Sequence, residues 1–163
     1  MTGEVSLRPA KIDDLETILG ILRAAQSWLA ERHINQWNRP FNASWLAPRI
    51  DSGECWIAEQ AGEPVGVCRL LWEDRLFWGE RDRGESTYIH SLAVRRDRAG
   101  QQLGVHILAA VAHLARDRNR ANLRLDCVAS NARLIGYYRA QGFTLVEDID
   151  IGDAQMTLME RAL

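Results

Sequence analysis

Apolar residues recur at Leu15, Ile18, Leu19, Leu22, Ala25 and Leu29, a spacing that lines one face of a helix opening at Asp13-Asp14 and ending near His33. Ahead of it, Val5-Ser6-Leu7-Arg8 reads as a short strand, and behind it His33 to Phe41 reads as a loop. Asn42 is placed to cap a second short helix carrying Trp45, Leu46 and Ile50, with Pro48 inside it. The pattern then changes. Cys55-Trp56-Ile57-Ala58 and Val65 to Trp72 predict two antiparallel strands, joined across Gln60-Ala61-Gly62-Glu63-Pro64. Glu73 to Glu85 is dense in charge and predicts an exposed loop or strand extension, because mixed charges are costly to bury.

Thr87 to Val94 predicts the next strand, and Leu103, Ile107, Leu108, Val111, Leu114 and Ala115 form the apolar face of a long helix. Arg116 and Arg118 fall at that helix's negative end. Leu123 to Val128 alternates as a strand, Ser130 or Asn131 can cap a helix running to Arg139, and Phe143-Val146 and Gln155-Met159 predict two last strands. The order is mixed α/β without internal repeats.

With 163 residues, 47% of them hydrophobic, the chain suits one compact domain, 1–163, whose core needs no metal or disulfide staple. Twenty basic and 22 acidic residues leave a formal charge of -2, which gives no global electrostatic reason to bind nucleic acid or an anionic membrane. Cys55, Cys68 and Cys127 are odd in number and sit in apolar runs, as reduced core thiols do. Met1-Thr2-Gly3-Glu4-Val5 has neither the basic region nor the apolar run of a signal peptide, so a cytoplasmic protein is expected. His33, His90, His106 and His113 have no metal-binding spacing, and no metal is expected.

Chemistry enters where the strand ending at Val94 meets the long helix. The turn Ala99-Gly100-Gln101-Gln102-Leu103-Gly104 leads into the helix's positive end, whose first amides lack intrahelical acceptors and can hold a pyrophosphate. Arg95, Arg96 and Arg98 add nearby positive charge, and Gly100 and Gly104 allow close backbone approach. Downstream, Asn131, Leu134, Tyr138 and Gly142-Phe143 form a second constellation.

Together these segments resemble the GCN5-related N-acetyltransferase family, whose cofactor signature is Gln or Arg, two residues, Gly, one residue, then Gly or Ala. Val94 takes the strand-end position and Gly104 the last small position. Ala99 stands where the family has Gln or Arg, and Gln102 replaces the middle glycine, a change the turn tolerates if Gln102 keeps helical dihedrals. Replacing Gln102 by Gly is then expected to lose up to about 1 kcal/mol of helix propensity.

The resemblance implies a single-domain fold with a splayed mixed β-sheet flanked by helices, and acetyl-coenzyme A between the fourth and fifth strands. It implies cofactor contacts from Leu92, Ala93 and Val94 on the strand, and from Ala99, Gly100, Gln101, Gln102, Leu103, Gly104 and Val105 in the turn and helix start. Asn131 is implied to fix the pantetheine, although a cap alone also explains it. Tyr138 is implied as cofactor contact and as the acid that protonates the leaving sulfur.

For the general base two residues stand open: His90, on the cofactor strand, and Glu85, upstream, acting through a water. Trp37 and Trp78, in loop-like settings, are expected to wall the acceptor pocket. Trp28 and Trp72 are expected first as core side chains and second as walls of that pocket. The expected reaction is direct acetyl transfer to a primary amine of a small molecule such as an amino acid derivative, polyamine or aminoglycoside. A peptide amino terminus or lysine is the nearest alternative acceptor. An inactive acyl-coenzyme A binding module is a third reading, raised by Ala99 and Gln102. The family's habit of pairing subunits leaves a homodimer open.

Overall fold

The computed structural model describes residues 3–163, so Met1 and Thr2 of the amino-terminal stretch lie outside the described residues. The elements are β1 (Val5–Pro9), α1 (Leu15–Glu31), α2 (Ala43–Asp51), β2 (Cys55–Gln60), β3 (Glu63–Leu71), α3 (Arg75–Trp78), β4 (Ser86–Val94), α4 (Leu103–Asp117), β5 (Asn122–Val128), α5 (Ala132–Ala140), β6 (Thr144–Ile151) and β7 (Ala154–Ala162). Seven strands form one sheet in the order β1-β2-β3-β4-β5-β7-β6, antiparallel except for the β4–β5 pair. The mixed sheet flanked by helices is the architecture that the hydrophobic pattern and the resemblance imply.

Local chemistry accounts for the boundaries. Glu31 ends α1, and two residues later His33 turns into the left-handed region at φ 55°. Asn42 caps α2 by accepting from the Trp45 amide at 2.9 Å. The β2–β3 hairpin closes on Ala61 and Gly62, both at positive φ (52° and 78°), the pairing a two-residue type I′ turn requires.

Two apolar layers flank the sheet. The stripe of α1 (Ile18, Leu19, Leu22) packs with α2 (Leu46, Ile50) against Ile57, Val67 and Ala93. The face of α4 (Leu103, Ile107, Leu108, Val111) packs with Tyr138 and Phe143 against Ala58, Leu70, Ile89, Leu123 and Leu125. Successive residues of one strand thus serve opposite layers.

The charged segment 73–85 departs from the exposed loop expected of it. It folds into α3 and a 3-10 turn at Gly79–Arg81, with Trp78 only 2% exposed against Tyr88 and Leu158. Asp74 and Asp82 are buried with it. Burial is tolerable because each carboxylate finds donors: Asp82 accepts from the Asp74 amide at 2.7 Å and the Gly84 amide at 3.2 Å, and Asp74 accepts from the Phe77 amide at 3.3 Å. Arg124 fastens the segment to the sheet. It donates to Glu160 at 2.6 Å, to the Arg81 carbonyl at 2.7 Å and to the Tyr88 hydroxyl at 3.1 Å, and its guanidinium lies 4.5 Å from the Trp78 ring.

Truncating Trp78 removes the body around which this segment folds. Trp78→Ala is expected to destabilise the protein by about 3–5 kcal/mol in urea unfolding. A loss under 1 kcal/mol would mean that the segment is docked by its ion pairs instead.

Candidate active site

The parallel pairing of β4 with β5 covers only Ser86–Ile89 against Asn122–Leu125. Beyond Ile89 the strands part. On its other edge β4 carries an irregularity: two steps of β3, Val67 to Arg69, oppose three steps of β4, Ala93 to His90. The extra residue is absorbed beside Ser91, which sits at φ 50° in the left-handed region, a strained setting for a residue other than glycine. A bulge bends and twists its strand, so the second half of β4 leaves β5 and its freed edge faces a cleft of about 780 Å³.

Residues from every layer line that cleft: His90, Ser91, Leu92, Ala93 and Val94 from β4, Leu125 and Asp126 from β5, Gly104 from α4, and Asn131, Arg133, Tyr137 and Tyr138 at and in α5. The far wall is Trp28 of α1, Gln36 and Trp37 of the α1–α2 connection, and Trp45 and Arg49 of α2.

At the end of the cleft nearest the β4–β5 pairing, His90 lies between two carboxylates. Its Nε2 is 2.8 Å from Asp74 Oδ2 and its Nδ1 is 3.7 Å from Asp126 Oδ1. The three groups could share a cation, but the His90–Asp74 hydrogen bond already engages one pair of ligand atoms. Burial, with the negative charge of Asp74, raises the Asp126 carboxyl to about 6, while His90 opposes the shift. Tyr138 is nearly buried, stacked edge-on with Phe143 at 5.5 Å and Tyr137 at 5.3 Å, and burial pushes its phenol far above the usual range.

At the other end lies the turn into α4. Gln102 precedes the helix at φ 55° and ψ 24°, left-handed and so outside the helical dihedrals under which the turn would tolerate it without strain, and no side chain caps the helix start. The Tyr137 hydroxyl takes the space that a Cβ on Gly104 would occupy. Beside this turn, the guanidiniums of Arg96, Arg32 and Arg133 stand 4.1, 4.2 and 5.9 Å from the Trp28 ring. Burial, and then the neighbouring charges of Arg32 and Arg133, hold Arg96 below its usual range, and its Nε is buried without an acceptor. Uncapped amides, a glycine and crowded guanidiniums make a setting that fits phosphate groups.

The expected site residues divide accordingly. His90, Leu92, Ala93, Val94, Gly104, Asn131, Tyr138, Trp28 and Trp37 meet at the cleft. Ala99, Gly100, Gln101 and Gln102 form the exposed turn, Leu103 points into the core, and Val105 is half-buried. Asn131 caps α5 at the Leu134 amide (3.2 Å) and also donates to Gln36 Oε1 at 3.0 Å, tying α5 to the far wall.

Three residues fall elsewhere. Trp78 is enclosed under α3, and Trp72 packs away from the cleft beneath Arg118 (4.3 Å) and Arg120 (5.5 Å). Glu85 precedes β4 at its paired end, five residues or about 16 Å of strand from His90, beside Arg124 at 3.5 Å. Of the arginines before the turn only Arg96 faces the cleft, since Arg95 is held by Asp97 and Arg98 by Gln60 and Gln101. Asp126, Arg49, Arg133 and Tyr137 were not anticipated from sequence as lining the site. Asp126 carried a usable signal, because the parallel register that sets Ile89 against Leu125 puts His90 and Asp126 one step further on.

The acetyltransferase (GNAT) family profile matches residues 22–143. The chain belongs to this family. Among relatives of this GNAT protein, the uncharacterized N-acetyltransferase YesJ of Bacillus subtilis is 34% identical over 143 residues, covering 83% of this chain and 79% of YesJ. The thialysine N-epsilon-acetyltransferase of Bos taurus is 31% identical over 147 residues, covering 85% and 83%. The crystal structure of aminoglycoside acetyltransferase AAC(6')-Ib with coenzyme A and kanamycin shares the fold at TM-score 0.78 and 23% identity, covering 98% of this chain and 95% of that one.

Two outcomes follow for this acetyltransferase. A glycine at 102 relieves the left-handed strain, which reverses the loss expected from helix propensity, so Gln102→Gly should gain about 0.5–1 kcal/mol by chemical denaturation. Asp126 titrates near 6 in the folded protein against an ordinary 3.8, so the folded state binds its proton more readily and stability falls as pH rises between those values. Asp126→Asn should therefore melt higher than the parent at pH 8, with the advantage shrinking toward pH 4.

Proposed function

We propose that this GNAT protein transfers the acetyl group of acetyl-coenzyme A directly to a primary amine of a small molecule. The parting of β4 and β5 carries this reading: it exposes the backbone edge of Leu92–Val94 along a cleft with an uncapped helix start and guanidiniums at one end and His90 at the other. When bound, acetyl-coenzyme A supplies an activated thioester carbonyl.

The chain's own residues have three tasks. The first amides of α4, with Arg96, Arg133 and the Tyr137 hydroxyl, hold phosphate, and the free edge of β4 pairs with amides lying along the cleft. His90 takes the proton of the attacking amine, and Asp74, 2.8 Å from its Nε2, orients the ring. Tyr138 donates its phenolic proton to the sulfur as the carbon–sulfur bond breaks. Its raised pKa, a consequence of burial, keeps that proton in place at neutral pH. The His90–Asp74 pair and a tyrosine lining the same cleft favour an active enzyme over a binding module, despite Ala99 and Gln102. The name of the bovine relative supports a small acceptor with a side-chain amine.

Mass analysis of a panel containing thialysine, diamines, an aminoglycoside and a lysine peptide, each with acetyl-coenzyme A, tests the assignment. Acetylation of peptides alone would refute it. Tyr138→Phe should lower the single-turnover rate about 10²-fold with little change in acetyl-coenzyme A affinity. Tyr137→Phe should do the opposite, weakening affinity while leaving the bound-state rate near normal. Near-normal transfer in Tyr138→Phe would make water the proton source.

A further inference from the structure

Arg49, on α2, is one of the arginines that line the cleft. Its guanidinium stacks on Trp45 at 4.4 Å, and Trp45 is also within 5.4 Å of the Arg69 guanidinium. Arg69 is the cross-strand partner of His90, so Arg49 and Trp45 stand over the half of the cleft that holds the proton relay. The two arginines differ in their partners. Arg69 is neutralised by Glu54, at 2.8 Å from Nη2 and 3.1 Å from Nε. Arg49 donates Nη1 to the Trp45 carbonyl at 2.6 Å, and its Nε is buried with no acceptor. Among the described residues no carboxylate lies within 4.0 Å of it.

A buried guanidinium N–H without an acceptor is costly, and guanidinium geometry matches a carboxylate in particular. Facing it across the same space is an acidic group, Asp126, beside His90. This half of the cleft therefore has one cationic pole and one anionic pole.

From these two poles we infer that the acceptor is an amine that also bears a carboxylate: Arg49 holds the carboxylate while the amine lies toward Asp126 and His90. This rests on the acetyl-transfer reading and narrows it. A diamine or an aminoglycoside brings only positive charge, so it gains at Asp126 but meets repulsion from Arg49 and offers that guanidinium no anionic partner. An amino acid with a side-chain amine satisfies both poles. The corresponding arginine at the far end, Arg96, belongs to the phosphate setting beside Trp28 and does not compete for this group.

The test compares kcat/KM for L-lysine, L-ornithine and thialysine with their carboxamides and with cadaverine and putrescine, using the full-length enzyme and saturating acetyl-coenzyme A. Each free acid should be preferred over its amide by at least tenfold. Arg49→Gln should collapse that ratio toward one by lowering kcat/KM for the acids and sparing the amides, while Arg49→Lys should restore part of it. Acetyl-coenzyme A affinity, measured by calorimetry, should be the same in all three proteins. Preference for diamines or amides in the parent, a ratio that survives Arg49→Gln, or transfer to none of these amines overturns the inference. Only a failure of the parent to bind acetyl-coenzyme A, or to acetylate any amine, overturns the underlying activity as well.

Discussion

Two parallel strands that stop sharing hydrogen bonds half-way along their length leave a row of backbone donors and acceptors that must find other partners. Here the row is the second half of β4, and its release is built into the chain: an extra residue beside Ser91, held at positive φ, turns the strand away from β5 just after Ile89 and Leu125. The two apolar layers hold that geometry. Ala93 is locked under α1 while Leu92 and Val94 pack toward α4, so the strand cannot swing back without disturbing both cores. The cleft is thus a consequence of sheet geometry, and each functional side chain is placed by its position along one of the two parting strands or on the helix that follows it.

Charge is distributed along the cleft in the same order. Around Trp28, three guanidiniums crowd one another with few local anions, an arrangement that an anionic ligand relieves. Around His90, carboxylates from α3's cap and from β5 converge on one ring. Asp74 reaches His90 only because the segment before β4 folds back over the sheet and buries its polar groups against paired donors. The residues that dock this segment, Trp78 and Arg124, therefore support the His90–Asp74 pair without lining the cleft.

The turn into α4 shows how a departure from a family pattern is accommodated. Gln102 occupies the left-handed conformation that a glycine would adopt freely, so the backbone path is kept at the expense of local strain. Ala99 carries no polar side chain, and across the cleft the Tyr137 hydroxyl stands over Gly104 with Arg133 one helical turn earlier. A pattern read along a single segment cannot register groups that another helix brings to it.

Periodicity and punctuation determined the strands and the longer helices, but not α3 and the 3-10 turn of segment 73–85. The stripe from Leu15 to Leu29, the Asn42 and Asn131 caps, the Ala61-Gly62 turn and the Leu103–Ala115 face all act through neighbours within a few residues, so their physics is written locally. The spacing from Val94 to Gly104 and from Asn131 to Phe143 likewise located one end of the cleft and its tyrosine. What the tertiary structure alone decided are contacts between segments far apart in the chain: Asp74 against His90, Asn131 against Gln36, and Arg124 beneath Trp78. Composition argued for exposing the segment 73–85, since the cost of burying charge is visible in sequence, whereas the donors that offset it come from strands and turns that meet only after folding. For the same reason a loop-like setting did not separate Trp37 from Trp78: Trp28 and Trp37 face the cleft, whereas Trp72 and Trp78 pack away from it.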